Sequence, residues 1–137
     1  MTLASKTFGV LQQLGKALSY QGRYEDAVEA FETGVELNRY WWPLHFSLGQ
    51  THLELGNYRE ALSALENARI LKEDGDVLVN IGAAHAGLGE VEEALAALEL
   101  GLNRRFSPIA AIEGSRYYTS IREDPRFQRL IEDYRQQ

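Results

Sequence analysis

The chain repeats itself. Gly15, Gly22, Tyr24 and Ala27 return as Gly49, Gly56, Tyr58 and Ala61, each 34 residues on. Gly82, Gly89, Val91 and Ala94 follow 33 residues later. Phe31, Leu65 and Leu98 keep this phase, as do Gly34, Ala68 and Gly101. A period of this size marks a stack of supersecondary units, because one such unit cannot bury its apolar face alone.

Each unit reads as two helices. In the first helices Leu11, Leu14 and Leu18 fall at helical spacing, as do Leu48, His52 and Leu55, then Leu78, Ile81, His85 and Leu88. In the second helices Ala27, Phe31 and Val35 align with Ala61, Leu65 and Ala68, and with Ala94, Leu98 and Leu102. The turns between them are Gln21-Gly22-Arg23-Tyr24, Leu55-Gly56-Asn57-Tyr58 and Leu88-Gly89-Glu90-Val91. Glycine suits the left-handed position that ends a helix. Gly15, Gly49 and Gly82 fall inside helices, where glycine costs about 1 kcal/mol relative to alanine. Their recurrence predicts a close helix–helix approach that a larger side chain would block.

This pattern resembles the tetratricopeptide repeat family over roughly residues 8–108. The pairs Leu14-Gly15, Leu48-Gly49 and Ile81-Gly82, the turn glycines, and the Ala27, Ala61 and Ala94 row carry the resemblance. It implies an all-α fold, a right-handed α-α superhelix (solenoid) of three helix pairs at about 8–41, 42–74 and 75–108. Two departures stand out. Leu11, His45 and Leu78 occupy a position that is often aromatic, and the proline that often closes a repeat is missing after the first two.

Residues 108–137 are expected to add a C-terminal helical cap within one domain spanning 1–137. Asp124-Pro125 reads as a helix start, since aspartate caps and proline fits the first turn. Ser107-Pro108 offers a similar start. Ile112, Tyr117, Tyr118, Ile121, Phe127, Leu130, Ile131 and Tyr134 supply apolar surface for covering the last repeat. The tail resembles the Asp-Pro-Arg-Phe ending of many bacterial tetratricopeptide proteins.

Charge and composition narrow the function classes. The formal net charge is −6, which argues against non-specific nucleic-acid or anionic-membrane binding. Residues 1–103 carry 7 basic and 15 acidic side chains, whereas residues 104–137 carry 7 and 5. That asymmetry is either chance or the mark of an end that docks against an acidic surface, another copy included. With no cysteine there is no disulfide, zinc-thiolate site or thiol catalysis. No secretory signal opens the chain and no apolar run reaches the ~18 residues of a spanning helix. A soluble, cytoplasmic protein is the expectation.

The search for catalytic chemistry returns structural readings. Gly9, Gly15 and Lys16 miss the phosphate-loop spacing by one residue, and Ala17 replaces the needed hydroxyl. His45 and His52 lie two turns apart, about 10 Å along a helix, too far to share a metal without other ligands. These histidines and His85 read as packing residues. Glu25-Asp26, Glu92-Glu93 and Asp74-Gly75-Asp76 sit where helix dipoles favour acids. No nucleophile arrangement is recognisable. No enzyme, cofactor or metal is expected.

A second row on the first helices points to binding. Phe46, Gln50 and Leu53 form it in the middle repeat, Val79, Ala83 and Ala86 in the third, and Gln12, Lys16 and Ser19, with Tyr20 beside them, in the first. The family resemblance implies that such rows line a concave groove; the competing reading is that they pack against neighbouring helices. The expected contact set for a protein or peptide is Gln12, Lys16, Tyr20, Phe46, Gln50, Leu53, Val79, Asn80 and Ala83. Some family members clamp a terminal carboxylate with lysine, arginine and asparagine. The matching positions here are Gln12, Lys16, Ser47, Asp76 and Asn80, and Asp76 would repel such a group. Tyr40-Trp41-Trp42-Pro43 either staples the first two repeats or presents an anchor. The resulting expectation is a protein-binding adaptor. A self-assembling scaffold module and a regulatory subunit of a separate enzyme are the alternatives.

Overall fold

A computed structural model describes residues 3–104 and 112–136. The described residues form helices and turns, with no strand among them. Six α-helices come first: α1 Leu3–Tyr20, α2 Tyr24–Leu37, α3 Trp42–Leu55, α4 Tyr58–Leu71, α5 Gly75–Gly87 and α6 Val91–Asn103. A short 3-10 helix, η1 (Arg116–Ile121), and a last α-helix, α7 (Pro125–Arg135), follow. The helix start expected at Ser107-Pro108 lies outside the described residues. Contacts gather the chain into two compact units, Met1–Lys72 and Glu73–Gln137. The first unit holds two helix pairs, and the second holds one pair and the tail.

One turn geometry closes all three pairs. Gly22, Gly56 and Gly89 have φ of 78°, 75° and 77°, the left-handed region that only glycine occupies without strain. The next residue's N–H reaches back across the turn: Arg23 to Leu18 O, Asn57 to His52 O and Glu90 to His85 O, each at 2.9 Å. The glycine N–H bonds Ser19 O, Leu53 O and Ala86 O at 3.0–3.1 Å. This pairing satisfies carbonyls that a helix end leaves orphaned.

The buried small residues explain why the repeat keeps its phase. Ala27, Ala61 and Ala94 are fully buried. A Cβ on Gly15 would stand 2.5 Å from the Phe31 ring, and a Cβ on Gly49 would stand 2.5 Å from Leu65. In the first unit Phe31 joins Ala27 and Leu44 in the core, with Phe8, Leu18, Val35 and Leu48 packed around it. Leu14, at helical spacing with Leu11 and Leu18, is 48% exposed. The buried face of α1 centres on Gly15, and Leu14 falls to its side.

In the second unit the tail supplies the partner of the third in-helix glycine. A Cβ on Gly82 would meet the Tyr118 hydroxyl at 2.6 Å and Ala94 O at 3.1 Å. Tyr118 and Ile121 of η1 are buried, and η1 packs on α5. Helix α7 packs on α6 and buries Phe127 and Ile131. Asp124 caps α7 by accepting the Arg126 N–H at 2.9 Å, with Pro125 in the first turn. Arg126 also pairs with Glu92, and Tyr134 donates to Asn103.

Candidate protein-binding surface

The rows on the first helices meet different fates in the two units. In the first unit, Gln12 and Lys16 lie one turn apart on α1, and Trp42, Phe46 and Gln50 lie at one-turn intervals on α3. Lys16 and Gln50 are exposed, Phe46 is half-buried, and Tyr20 is 90% exposed. Leu53 is buried.

Aromatic side chains shape this surface. The Trp42 and Phe46 rings pack 6.0 Å apart, and Lys72 Nζ sits 5.1 Å above the Trp42 ring. Trp41 packs against Phe8 at 6.0 Å and donates from Nε1 to Gln12 Oε1 at 3.3 Å. Trp41 therefore ties α1 to the start of α3, the stapling role, while remaining partly exposed. Tyr40 stays open to solvent.

In the second unit the matching row is core. Val79, Ala83 and Ala86 are buried. A Cβ on Gly101 would lie 2.8 Å from Val79 Cγ2, so Val79 is directed at α6. The tail crosses the same helix: Tyr118 donates to Val79 O and Ser120 to Ala86 O at 2.8 Å. Val79 and Ala83 thus leave the expected contact set, because α6 and the chain's own tail enclose the helix that carries them. Asn80 is half-exposed and donates to Asp76 O at 2.7 Å. Burial, and then the Asp74 carboxylate, raises the Asp76 pKa.

The histidines are structural in their contacts. His45 is buried and donates from Nε2 to Arg39 O at 2.8 Å. His52 and His85 hold equivalent turns: Asn57 Nδ2 donates to His52 Nδ1 at 3.5 Å, and His85 Nδ1 donates to Glu90 Oε1 at 3.0 Å. Among the described residues no cluster of three or more metal-ligating side chains occurs.

Burial lowers the His52 pKa against the opposing pull of Glu60 and Glu32. The unfolded chain then binds more protons than the folded one just below the ordinary histidine value of about 6.5. Stability from this group is present above that value and is lost as pH falls through it toward the folded-state pKa. Melting temperature is expected to drop between pH 7.5 and 5.5, and His52→Gln should flatten that part of the curve. An unchanged slope in the variant would place the titration elsewhere.

Profiles described as tetratricopeptide repeat match residues 8–41 and 46–108. The chain belongs to the tetratricopeptide repeat family. No match was found among curated proteins. Solved structures share the fold. MamA is 22% identical, with 93% of this chain and 73% of that one covered and a TM-score of 0.78. The first tetratricopeptide domain of Spaghetti (RPAP3), bound to the HSP90 peptide SRMEEVD, is 20% identical, with 96% and 93% covered and a TM-score of 0.72. The Yersinia enterocolitica type III secretion translocator chaperone SycD is 20% identical, with 96% and 88% covered and a TM-score of 0.70. At these identities the likeness extends to the fold alone. No described helix is long and apolar enough to cross a membrane.

Proposed function

We propose that this tetratricopeptide protein is an adaptor. It holds a partner's amphipathic helix, or an extended peptide with apolar anchors, against the first-helix rows of residues 1–72. The observation that carries this reading is the half-buried Trp42–Phe46 pair, with exposed Gln50 one turn further along α3 and with Lys16 and Tyr20 exposed on α1 of the same unit. Aromatic rings that keep an open face beside polar groups are the usual anchors of protein interfaces. Gln12, Lys16 and Gln50 supply polar contacts around the apolar centre. Peptide binding by the Spaghetti (RPAP3) domain on the same fold supports the class of activity.

The test is affinity capture of the partner from the native cell, followed by calorimetry with the purified pair. Phe46→Ala is expected to weaken binding by about 1–3 kcal/mol, the range for an anchor near the centre of an interface. Helix content should not change. Full affinity combined with a lowered melting temperature would return Phe46 to the core and remove the proposed surface.

A further inference from the structure

Helix α3 carries no Asp, Glu, Lys or Arg between Trp42 and Leu53. The charge that meets its aromatic pair comes from the end of α4. Lys72 closes that helix, its N–H donating to Ala68 O at 2.8 Å, and its Nζ lies 5.1 Å from the centre of the Trp42 ring. At this range the electron-rich face of the ring attracts the ammonium. Trp42 and Phe46 are half-buried, whereas Lys72 is exposed. A positive charge therefore stands against the apolar centre of the surface, still in contact with water.

This ammonium has no carboxylate of its own. Among the described residues Lys72 forms no ion pair, and its side-chain contact is the Trp42 ring. The carboxylates close to it in the chain are engaged elsewhere. Glu66 pairs with Arg69 at 3.8 Å, Glu73 pairs with Arg104 at 3.8 Å, and Asp74 accepts the Asp76 N–H at 2.9 Å. A segment laid on the Trp42–Phe46 pair would strip water from one side of the ammonium, which is unfavourable unless the charge gains a partner. A carboxylate in that segment supplies the partner. A cation would meet like charge and would have to displace Lys72 from the ring.

We propose that the Trp42–Phe46 surface selects protein partners whose apolar anchor is flanked by an Asp or Glu side chain, and that Lys72 is the residue that reads it. The inference rests on the peptide-binding reading of this surface and adds the chemistry of the partner. The rings supply contact area for the anchor, and Lys72 sets the preference for what stands beside it. The group recognised is a side-chain carboxylate, so a free C-terminus is not required.

The probes are fluorescent, C-terminally amidated amphipathic peptides, stapled because a short helix is marginal alone. Each carries a leucine, phenylalanine or tryptophan anchor with glutamate, glutamine or lysine beside it. Each is titrated with the full chain and followed by anisotropy. The glutamate peptide is expected to bind about fivefold tighter than its glutamine twin, with the gap closing at high salt because an exposed pair is screened. The lysine peptide should bind weakest. Lys72→Gln should erase this order, and Lys72→Glu should invert it in favour of lysine, a reversal that damage to the fold cannot produce. Arg59→Gln removes the same charge about 20 Å away, at the other end of α4, and should leave the order unchanged. Equal affinity for the glutamate and glutamine peptides, or an order that survives Lys72→Glu, would overturn the proposal. If Phe46→Ala abolishes binding in that case, the peptide surface stands without its acidic preference. Absence of saturable binding across the whole panel would overturn both.

Discussion

Tyr118→Ala is expected to destabilise the protein by about 3–5 kcal/mol, the range for deleting a large buried aromatic side chain. Tyr118 is buried, and its ring stacks on Phe127 at 5.8 Å. Its hydroxyl lies where a Gly82 Cβ would otherwise be and donates to Val79 O. Burial pushes its pKa far above the usual tyrosine range, so the hydroxyl stays protonated and remains a donor. Alanine would open a cavity between η1 and α5 and remove one of the tail's links to the third repeat. Tyr118→Phe separates the two contributions, since it keeps the ring and should cost only about 0.5–1.5 kcal/mol for the lost hydrogen bond. Chemical denaturation of both variants is the measurement. Equal losses would show that the hydroxyl, and not the ring, holds the tail.

The second large effect is expected at Gly49. Leucine there places a Cβ 2.5 Å from Leu65 and 3.3 Å from Ala61 O, with three further carbons behind it. Overpacking of this kind costs about 1–3 kcal/mol, and backbone as near as Ala61 O cannot step aside as a flexible side chain can. Leucine's better helix propensity offsets part of that, by under about 1 kcal/mol. Gly9 is the control. It lies in α1 with nothing within 4 Å of its Cβ position, so Gly9→Ala should be neutral or stabilising by up to about 1 kcal/mol. Melting curves for the two variants should move in opposite directions. A Gly49→Leu protein that melts with the wild type would mean that α3 and α4 separate at little cost.

The local pattern made most of the fold legible. Helical phase, the turn glycines and the close approach at Gly15 and Gly49 depend on contacts inside one helix pair, and such contacts recur with the period. Asp124-Pro125 likewise specified the start of α7 through groups only two residues apart. The binding rows were only half legible. Phe46, Gln50 and Val79 carry no local sign of whether solvent, a ligand or the chain itself lies above them. Val79 and Ala83 match Phe46 and Gln50 in phase, and phase alone assigns all four the same ligand-facing row.

What the sequence determined by itself is therefore the unit: two helices, a left-handed glycine turn and a small-residue contact between them. These follow from backbone sterics and short-range spacing. What the tertiary structure decided is coverage. It brought Tyr118 and Ser120 onto a helix more than 30 residues earlier in the chain, and so turned the third row into core. It also left Val10 bare where the equivalent Leu44 and Val77 are buried, and Leu14 where the equivalent Ile81 is buried. Burial of a helix face depends on which distant segment packs against it, and periodicity within the helix does not encode that segment.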